Sequence, residues 1–359
     1  MKIAITGGAS AGHVVPALAV AGRLRDHGAE LVFLGRENTI EHELAQRAGI
    51  PFRHVPSAGL QRHRSAANLL MPFTVTRGIL AAYRALRRER PDALFSKGSY
   101  VSVPVGIGAA LAHVPVVIHE SDHSLGLANR ILGRLATTIC LSVPAPGPTP
   151  RWMRNKTQVT GLPVRADLAD AKPEELRERL GLPSGKPVLL IFCGSSGAQR
   201  VNAAVREQLH VLAERYSVLH VTGKGHVDPQ LAERPGYWQL EYLHEDMPHA
   251  LALADLVIGR AGATTLAELS ALDVPAVLVP LPTSVSRGDQ IDNARSYAAQ
   301  YPERCRVVAD EELTDPGVLV RACTALSAVP RGGQGSSPEV GAAAGRIADL
   351  VLRAAARRR

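Results

Sequence analysis

The stretch whose reading decides the fold is GRAGATTLAELSALDVPAVLVPLPTSVSRGDQIDN, residues 259–293. It follows Ala254-Asp255-Leu256-Val257-Ile258, a run that reads as a buried strand. The turn Arg260-Ala261-Gly262-Ala263 ends in Thr264-Thr265, two hydroxyls expected to cap a helix. A helix starting there aims its first N–H groups and its positive dipole end outward, which suits a phosphate. Glu268 falls about one turn into that helix, placed to accept hydrogen bonds from a sugar hydroxyl. A second apolar run, 276–281, leads to Pro282 and then to Ser286–Asn293, read as a polar loop able to close over the same crevice. Strand, Gly turn, helix, strand and polar loop make half of a nucleotide-sugar site. An ordinary βαβ unit with a solvated loop has the same parts.

Working outward, the plan repeats. Pro187–Phe192 is an apolar strand followed by the turn Cys193-Gly194-Ser195-Ser196-Gly197-Ala198, with a helix expected over 201–215. At the N-terminus, Lys2–Thr6 is a strand, Gly7–His13 its turn and Val14–Leu24 a helix with Pro16 in its opening turn. The dinucleotide pattern G-x-G-x-x-G is not met. His13 stands at a helix start, where burial and the dipole both disfavour its charged form. It reads either as a general base or as a structural residue. Strands at 93–95 and 115–118 end in Ser96-Lys97-Gly98-Ser99-Tyr100 and His119-Glu120-Ser121-Asp122. Such strand ends gather at one edge of a parallel sheet, where α/β ligands bind. Thr137–Ser142 is read as the last strand of this half, and Thr314-Asp315-Pro316 as a later helix start.

The 359 residues, 46% of them apolar, suffice for two cores. Four cysteines without C-x-x-C spacing point to neither a zinc site nor a disulfide framework. The opening MKIAITGG is a strand and turn, not the h-region of a signal peptide, and no apolar run approaches the ~20 residues needed to span a bilayer. Residues 1–165 hold 20 Lys and Arg against 9 Asp and Glu, a net +11; the rest holds 21 against 24, a net −3. With few aromatics and no nucleic-acid module, this charge is not read as a nucleic-acid surface. Between 59 and 90, Leu69, Leu70, Met71 and Phe73 precede a helix with Val75, Ile79, Tyr83 and Leu86 on one face. Arg62, Arg64, Arg77, Arg84, Arg87, Arg88 and Arg90 surround them. Apolar residues among arginines suit an element lying on an anionic bilayer. A core helix with a solvated basic side fits equally.

Seven segments carry a resemblance: TGGASAGHVVPA (6–17), SKGSYVSVPV (96–105), IHESD with GLANR (118–130), GLPVR (161–165), GSSGAQRVN (194–202), RAGATTLAEL (260–269) and SRGDQIDNA (286–294). In this order they resemble the MurG-like peptidoglycan N-acetylglucosaminyltransferases, in the form of the Gram-positive branch. The resemblance covers roughly residues 1–310. Ala9 and Ser99 stand where that family usually has Gly, Asp122 where Asn is commoner, and Cys193 and Ser196 also depart.

The resemblance implies an α/β GT-B fold, two Rossmann-like parallel-sheet domains facing across a donor cleft. The domains are expected over 1–162 and 163–338, with 339–359 a C-terminal helix and basic tail able to pack back on the first. It implies an inverting, metal-independent transfer of N-acetylglucosamine from UDP-N-acetylglucosamine to the muramyl C4 hydroxyl of the undecaprenyl-pyrophosphoryl pentapeptide. The chain has no Asp-x-Asp pair for a metal, and no cofactor is implied. The enzyme would sit peripherally on the cytoplasmic face of the membrane. His13 and Glu120 become the catalytic candidates. Ser10, Ala11, Gly12, Arg165, Ser195, His244, Ala263, Thr264, Thr265, Leu266, Ala267, Glu268 and Gln290 are expected at the donor, and Lys97, Tyr100 and Asp122 at the acceptor. A transferase with another lipid or natural-product acceptor, a UDP-N-acetylglucosamine 2-epimerase and a non-catalytic sensor fit the same fold.

Overall fold

A computed structural model describes residues 1–359 apart from 60–66, 123, 145–149, 195–197, 287, 333–340 and 359, and the side chains of 67–70 and 166. The chain forms two units, Met1–Arg165 with Gly341–Arg359, and Ala166–Val340.

The first unit is built on β1 (Lys2–Thr6), β2 (Glu30–Gly35), β3 (Phe52–His54), β4 (Ala93–Ser96), β5 (Val116–Glu120), β6 (Thr138–Leu141) and β7 (Thr157–Val159). All pairs are parallel, in the order β3-β2-β1-β4-β5-β6-β7. The helices are α1 (Ala11–Asp26), α2 (Ile40–Arg47), α3 (Ala67–Glu89), α4 (Ser102–Leu111) and α5 (Leu127–Leu135). Strand alternation sends Ile3, Ile5, Phe33 and Phe95 to one face and Ala4, Leu34, Leu94 and Ile118 to the other. Both faces are covered, as all-parallel sheets require. α1 and the chain's last helix, Ala342–Ala356, cover the first face, so the C-terminus closes the N-terminal core. Ala82 and Leu86 of α3, Val105 of α4 and Leu132 of α5 cover the second. The close approach of α3 depends on Gly78, where a Cβ would fall 2.1 Å from the Pro56 carbonyl oxygen.

The second unit contains β8 (Val188–Phe192), β9 (Ser217–Val221), β10 (Tyr237–Leu240), β11 (Leu256–Gly259), β12 (Ala276–Leu278) and β13 (Cys305–Val307). They are parallel in the order β10-β9-β8-β11-β12-β13. Its helices are α6 (Pro173–Leu180), α7 (Gln199–Glu207), α8 (Leu209–Arg215), α9 (Met247–Leu253), α10 (Ala263–Leu272), α11 (Asp289–Gln300) and α12 (Val318–Thr324), and Ala342–Ala356 is α13.

Several expectations are corrected. β6 is not the last strand of its half, because β7 pairs beyond it. One helix expected over 201–215 is two, parted at Gln208, which is buried and accepts the Val320 N–H at 3.1 Å. The residues 310–314 form a 3-10 turn, and α12 starts only at Val318 behind Gly317. The polar segment 286–293 is not a loop throughout, because α11 starts at Asp289 behind Gly288, whose φ is +89°.

Candidate active site

In each sheet the strand order reverses at one point, between β1 and β4 in the first and between β8 and β11 in the second. The loops leaving such neighbours run in opposite directions and open a crevice at the strands' carboxyl ends.

In the first unit the β1 loop turns on Ala9 (φ +68°) and the β4 loop on Ser99 (φ +82°). Both hold a left-handed backbone that costs a residue with a side chain about 1 kcal/mol. The carbonyl of Ser10 accepts the N–H groups of His13 (3.1 Å) and Val14 (3.2 Å), which starts α1. Ser10 Oγ lies 3.0 Å from His13 Nδ1. With the proton on Nδ1 and donated to Ser10, Nε2 keeps a lone pair. Burial first, and the Lys97 ammonium second, push the His13 pKa down to about 4, so the ring is neutral at pH 7.

The other residues expected in this crevice are placed differently from one another. Tyr100 is half-buried, its hydroxyl accepting from Arg36 Nη1 at 2.8 Å. Asp122 is half-buried at the crevice loop. Lys97 is 1% exposed and donates Nζ to Ser121 Oγ, so it lies beneath the crevice and not on its wall as expected. Its burial pushes its pKa down to about 8, against the pull of Glu120 and Asp122. The Glu120 carboxylate accepts the N–H groups of Ser121 (2.8 Å), Asp122 (3.2 Å) and Gly126 (2.9 Å) and Asn129 Nδ2 (3.0 Å). Four donors hold it as the anchor of the loop into α5. His119, which has no assigned role in the sequence reading, is fully buried with Nε2 3.0 Å from the Gly161 carbonyl oxygen. Burial, then Lys97, hold it neutral, with the Gly161 bond opposing. It ties β5 to the segment that ends at half-buried Arg165.

In the second unit Gly262 is the N-cap of α10. Thr264 and Thr265 therefore lie inside the first turn, a correction to their expected capping role. The first bond within the helix runs from the Leu266 N–H to the Gly262 carbonyl at 3.0 Å, so the amides ahead of it point out of the helix. Ala263, Thr264, Thr265 and Ala267 are half-buried, and Leu266 and Glu268 are buried. Gln290, in the first turn of α11, accepts the Leu281 N–H on Oε1 at 3.1 Å, which turns its amide nitrogen to donate elsewhere. Asn293 Nδ2 donates to the Ala261 carbonyl at 3.2 Å and so pins α11 to the glycine turn. His244 is exposed at φ +41°, its ring 5.2 Å from that of Tyr242. Ser195 lies outside the described residues.

Sequence reasoning missed Arg260 and Asp310. Arg260 Nη1 donates to the carbonyls of Val279 (3.0 Å) and Pro280 (3.3 Å) and to Asp310 Oδ1 (2.6 Å). Asp310, 3% exposed, holds Arg200 Nη1 on its other oxygen at 3.0 Å. This ionic link joins the ends of β11 and β12 to the start of α7, the three segments around the second crevice. The R-A-G turn was the only signal for it.

Comparison with known proteins agrees with the geometry. Residues 3–141 match the glycosyltransferase family 28 N-terminal domain and 188–331 its C-terminal domain. A UDP-N-acetylglucosamine–N-acetylmuramyl-(pentapeptide) pyrophosphoryl-undecaprenol N-acetylglucosamine transferase of Geobacillus kaustophilus is 43% identical over 317 residues, 88% of this chain and 87% of the relative. The crystal structure of Acinetobacter baumannii MurG superposes with a TM-score of 0.68 at 26% identity, over 98% of this chain and 99% of that one. A UDP-GlcNAc 2-epimerase from Neisseria meningitidis reaches a TM-score of 0.67 at 12% identity, over 98% and 100%, a likeness of fold alone. The chain belongs to glycosyltransferase family 28, and within it to the family of MurG N-acetylglucosamine transferases.

Proposed function

We infer that this chain moves N-acetylglucosamine from UDP-N-acetylglucosamine to the muramyl C4 hydroxyl of the undecaprenyl-pyrophosphoryl pentapeptide, with inversion. The observation that carries the assignment is a neutral His13 held by Ser10 at the crevice of the first sheet. In this reading the acceptor oxygen attacks the anomeric carbon as the bond to UDP breaks, and its proton passes to His13 Nε2. Ser10 fixes the tautomer, and Ala11 and Gly12 line the turn. Glu120, saturated by four donors, positions the loop carrying Asp122 and is not the base. The outward amides of α10 oppose the charge on departing UDP, and Arg165 is assigned to its diphosphate end. Glu268 takes the ribose hydroxyls, Gln290 the sugar, and the backbone at His244 the uracil. UDP release that requires the undecaprenyl-linked acceptor supports this reading; release at full rate without acceptor overturns it in favour of epimerase-like chemistry.

Glu268→Ala is expected to raise the donor KM by at least about tenfold, since a charged hydrogen bond contributes roughly 1.5–3 kcal/mol. An unchanged donor KM in folded protein would remove Glu268 from the donor site.

The acceptor's lipid places the reaction at a membrane, and the face of α3, α4 and α5 supports docking there. No described helix is long and apolar enough to cross a bilayer. Phe73 (75% exposed) and Leu80 (46%) project from α3 beside exposed Arg77, Arg84, Arg87 and Arg88. α5 adds Leu127, Ile131 and Leu135, exposed at four-residue spacing among Arg130 and Arg134, a stripe the sequence reading did not single out. Arg62 and Arg64, and the side chains of Leu69 and Leu70, lie outside what the structure describes. Each basic residue near an anionic surface contributes about 1 kcal/mol. Sedimentation with anionic vesicles should show wild-type binding that weakens with salt. It should be lost when Arg77, Arg84, Arg87 and Arg88 become Glu, and be reduced by Phe73→Ser with Leu127→Ser. Equal binding by all three proteins would refute this face.

A further inference from the structure

Beneath the Gly7–Ser10 turn lies a carboxyl group for which the reaction has no use. Glu41, in the first turn of α2, is 0% exposed. Its side chain crosses Gly35, the last residue of β2, where a Cβ would sit 3.1 Å from Glu41 Cγ. It ends under Gly8, where a Cβ would sit 2.8 Å from both Cδ and Oε1. One strand end and the turn after another thus carry no side chain along the path of this one group. Oε2 accepts the Ala9 N–H at 3.3 Å, and Oε1 has no partner among the described residues. A carboxyl buried with so little pairing costs stability, and an apolar side chain of similar volume would cost less. The residue it grips, Ala9, is the one held at φ +68°. The next, Ser10, is the one that orients the His13 ring.

We propose that Glu41 is a positioning residue, bracing Gly8-Ala9 from below in the left-handed turn that delivers Ser10 and His13 to the sheet edge. The proposal rests on the reading of His13 as the base. Without the acceptor on Glu41, the Ala9 N–H loses its hold and the backbone is free to relax out of the left-handed region. Ser10 Oγ then leaves Nδ1, and the imidazole loses its fixed tautomer.

The test compares Glu41→Met, which fills the slot without an acceptor, with Glu41→Gln, which keeps an oxygen there. Misplacing a reacting group by about 1 Å costs on the order of 10²-fold, so Glu41→Met should lose about that much kcat with the donor KM nearly unchanged. Its Tm should hold or rise, and Glu41→Gln should recover most of the activity. A Glu41→Met enzyme with wild-type kcat, or one whose kcat falls only in step with Tm, would show that the group merely packs. Adding Glu41→Met to His13→Ala should cost little more than His13→Ala alone, because both act on one group; a fully additive loss overturns the route through His13. Should His13→Ala keep its kcat, the base reading fails by itself. The brace is then judged on the kcat and Tm of Glu41→Met.

Discussion

Replacing His13 by alanine is expected to lower kcat by about 10²–10⁴-fold, the usual worth of a positioned general base, with a modest change in donor KM. Steady-state rates with the lipid-linked acceptor measure it. The pH profile sharpens the expectation. A base acts only when deprotonated, and burial with the Lys97 charge holds His13 neutral down to about pH 4. The acid limb of kcat/KM should therefore lie well below the ordinary histidine value of about 6.5. Removing the Lys97 cation by Lys97→Met should move that limb upward, because one of the two causes of the depression is gone. Ser10→Ala should fall between wild type and His13→Ala, since the ring remains but its tautomer is no longer held. A His13→Ala enzyme that is merely less stable, with normal kcat in its folded fraction, would return His13 to a structural role.

Asp310→Ala should cost about 3–5 kcal/mol of stability, the price of leaving a buried charge without its partner. Arg260 is 13% exposed in its side chain and keeps only carbonyl oxygens once the carboxylate is gone. Arg200→Ala removes the other half of the same bridge, but that side chain is 52% exposed. Water already screens it, so the loss should be within about 1 kcal/mol. Urea unfolding of the two variants measures the contrast. Similar small losses in both would mean that the link is a surface ion pair in its energetics. The donor KM should rise in Asp310→Ala as well, because the same link holds three segments around the second crevice.

The fold was legible from local signals. Short apolar runs ending in Gly-rich turns, separated by helical stretches, demand parallel strands covered on both faces, and both sheets are of that kind. The place of His13 in the first turn of a helix was legible because a helix start leaves a recognisable chain signature. Errors arose where a signal was short or a backbone angle intervened. Thr157–Val159 is too brief to announce β7, and the φ of Gly288 turned an expected loop into the start of α11. Lys97 was expected on a wall and lies beneath it, since no pattern of four residues tells whether a strand end is covered. Glu41 and Asp310 were invisible for a further reason. In I-E-H-E-L and in A-D-E-E each has an acidic neighbour, and one of each set is buried while others face water. Periodicity, turns and caps act over about ten residues, and they determined the two sheets and the place of their crevices. Which carboxyl is buried depends on groups brought from far along the chain, Gly8 to Glu41 and Arg260 to Asp310. Only the packed tertiary structure decides that, because the charge's environment exists only once those strands lie side by side.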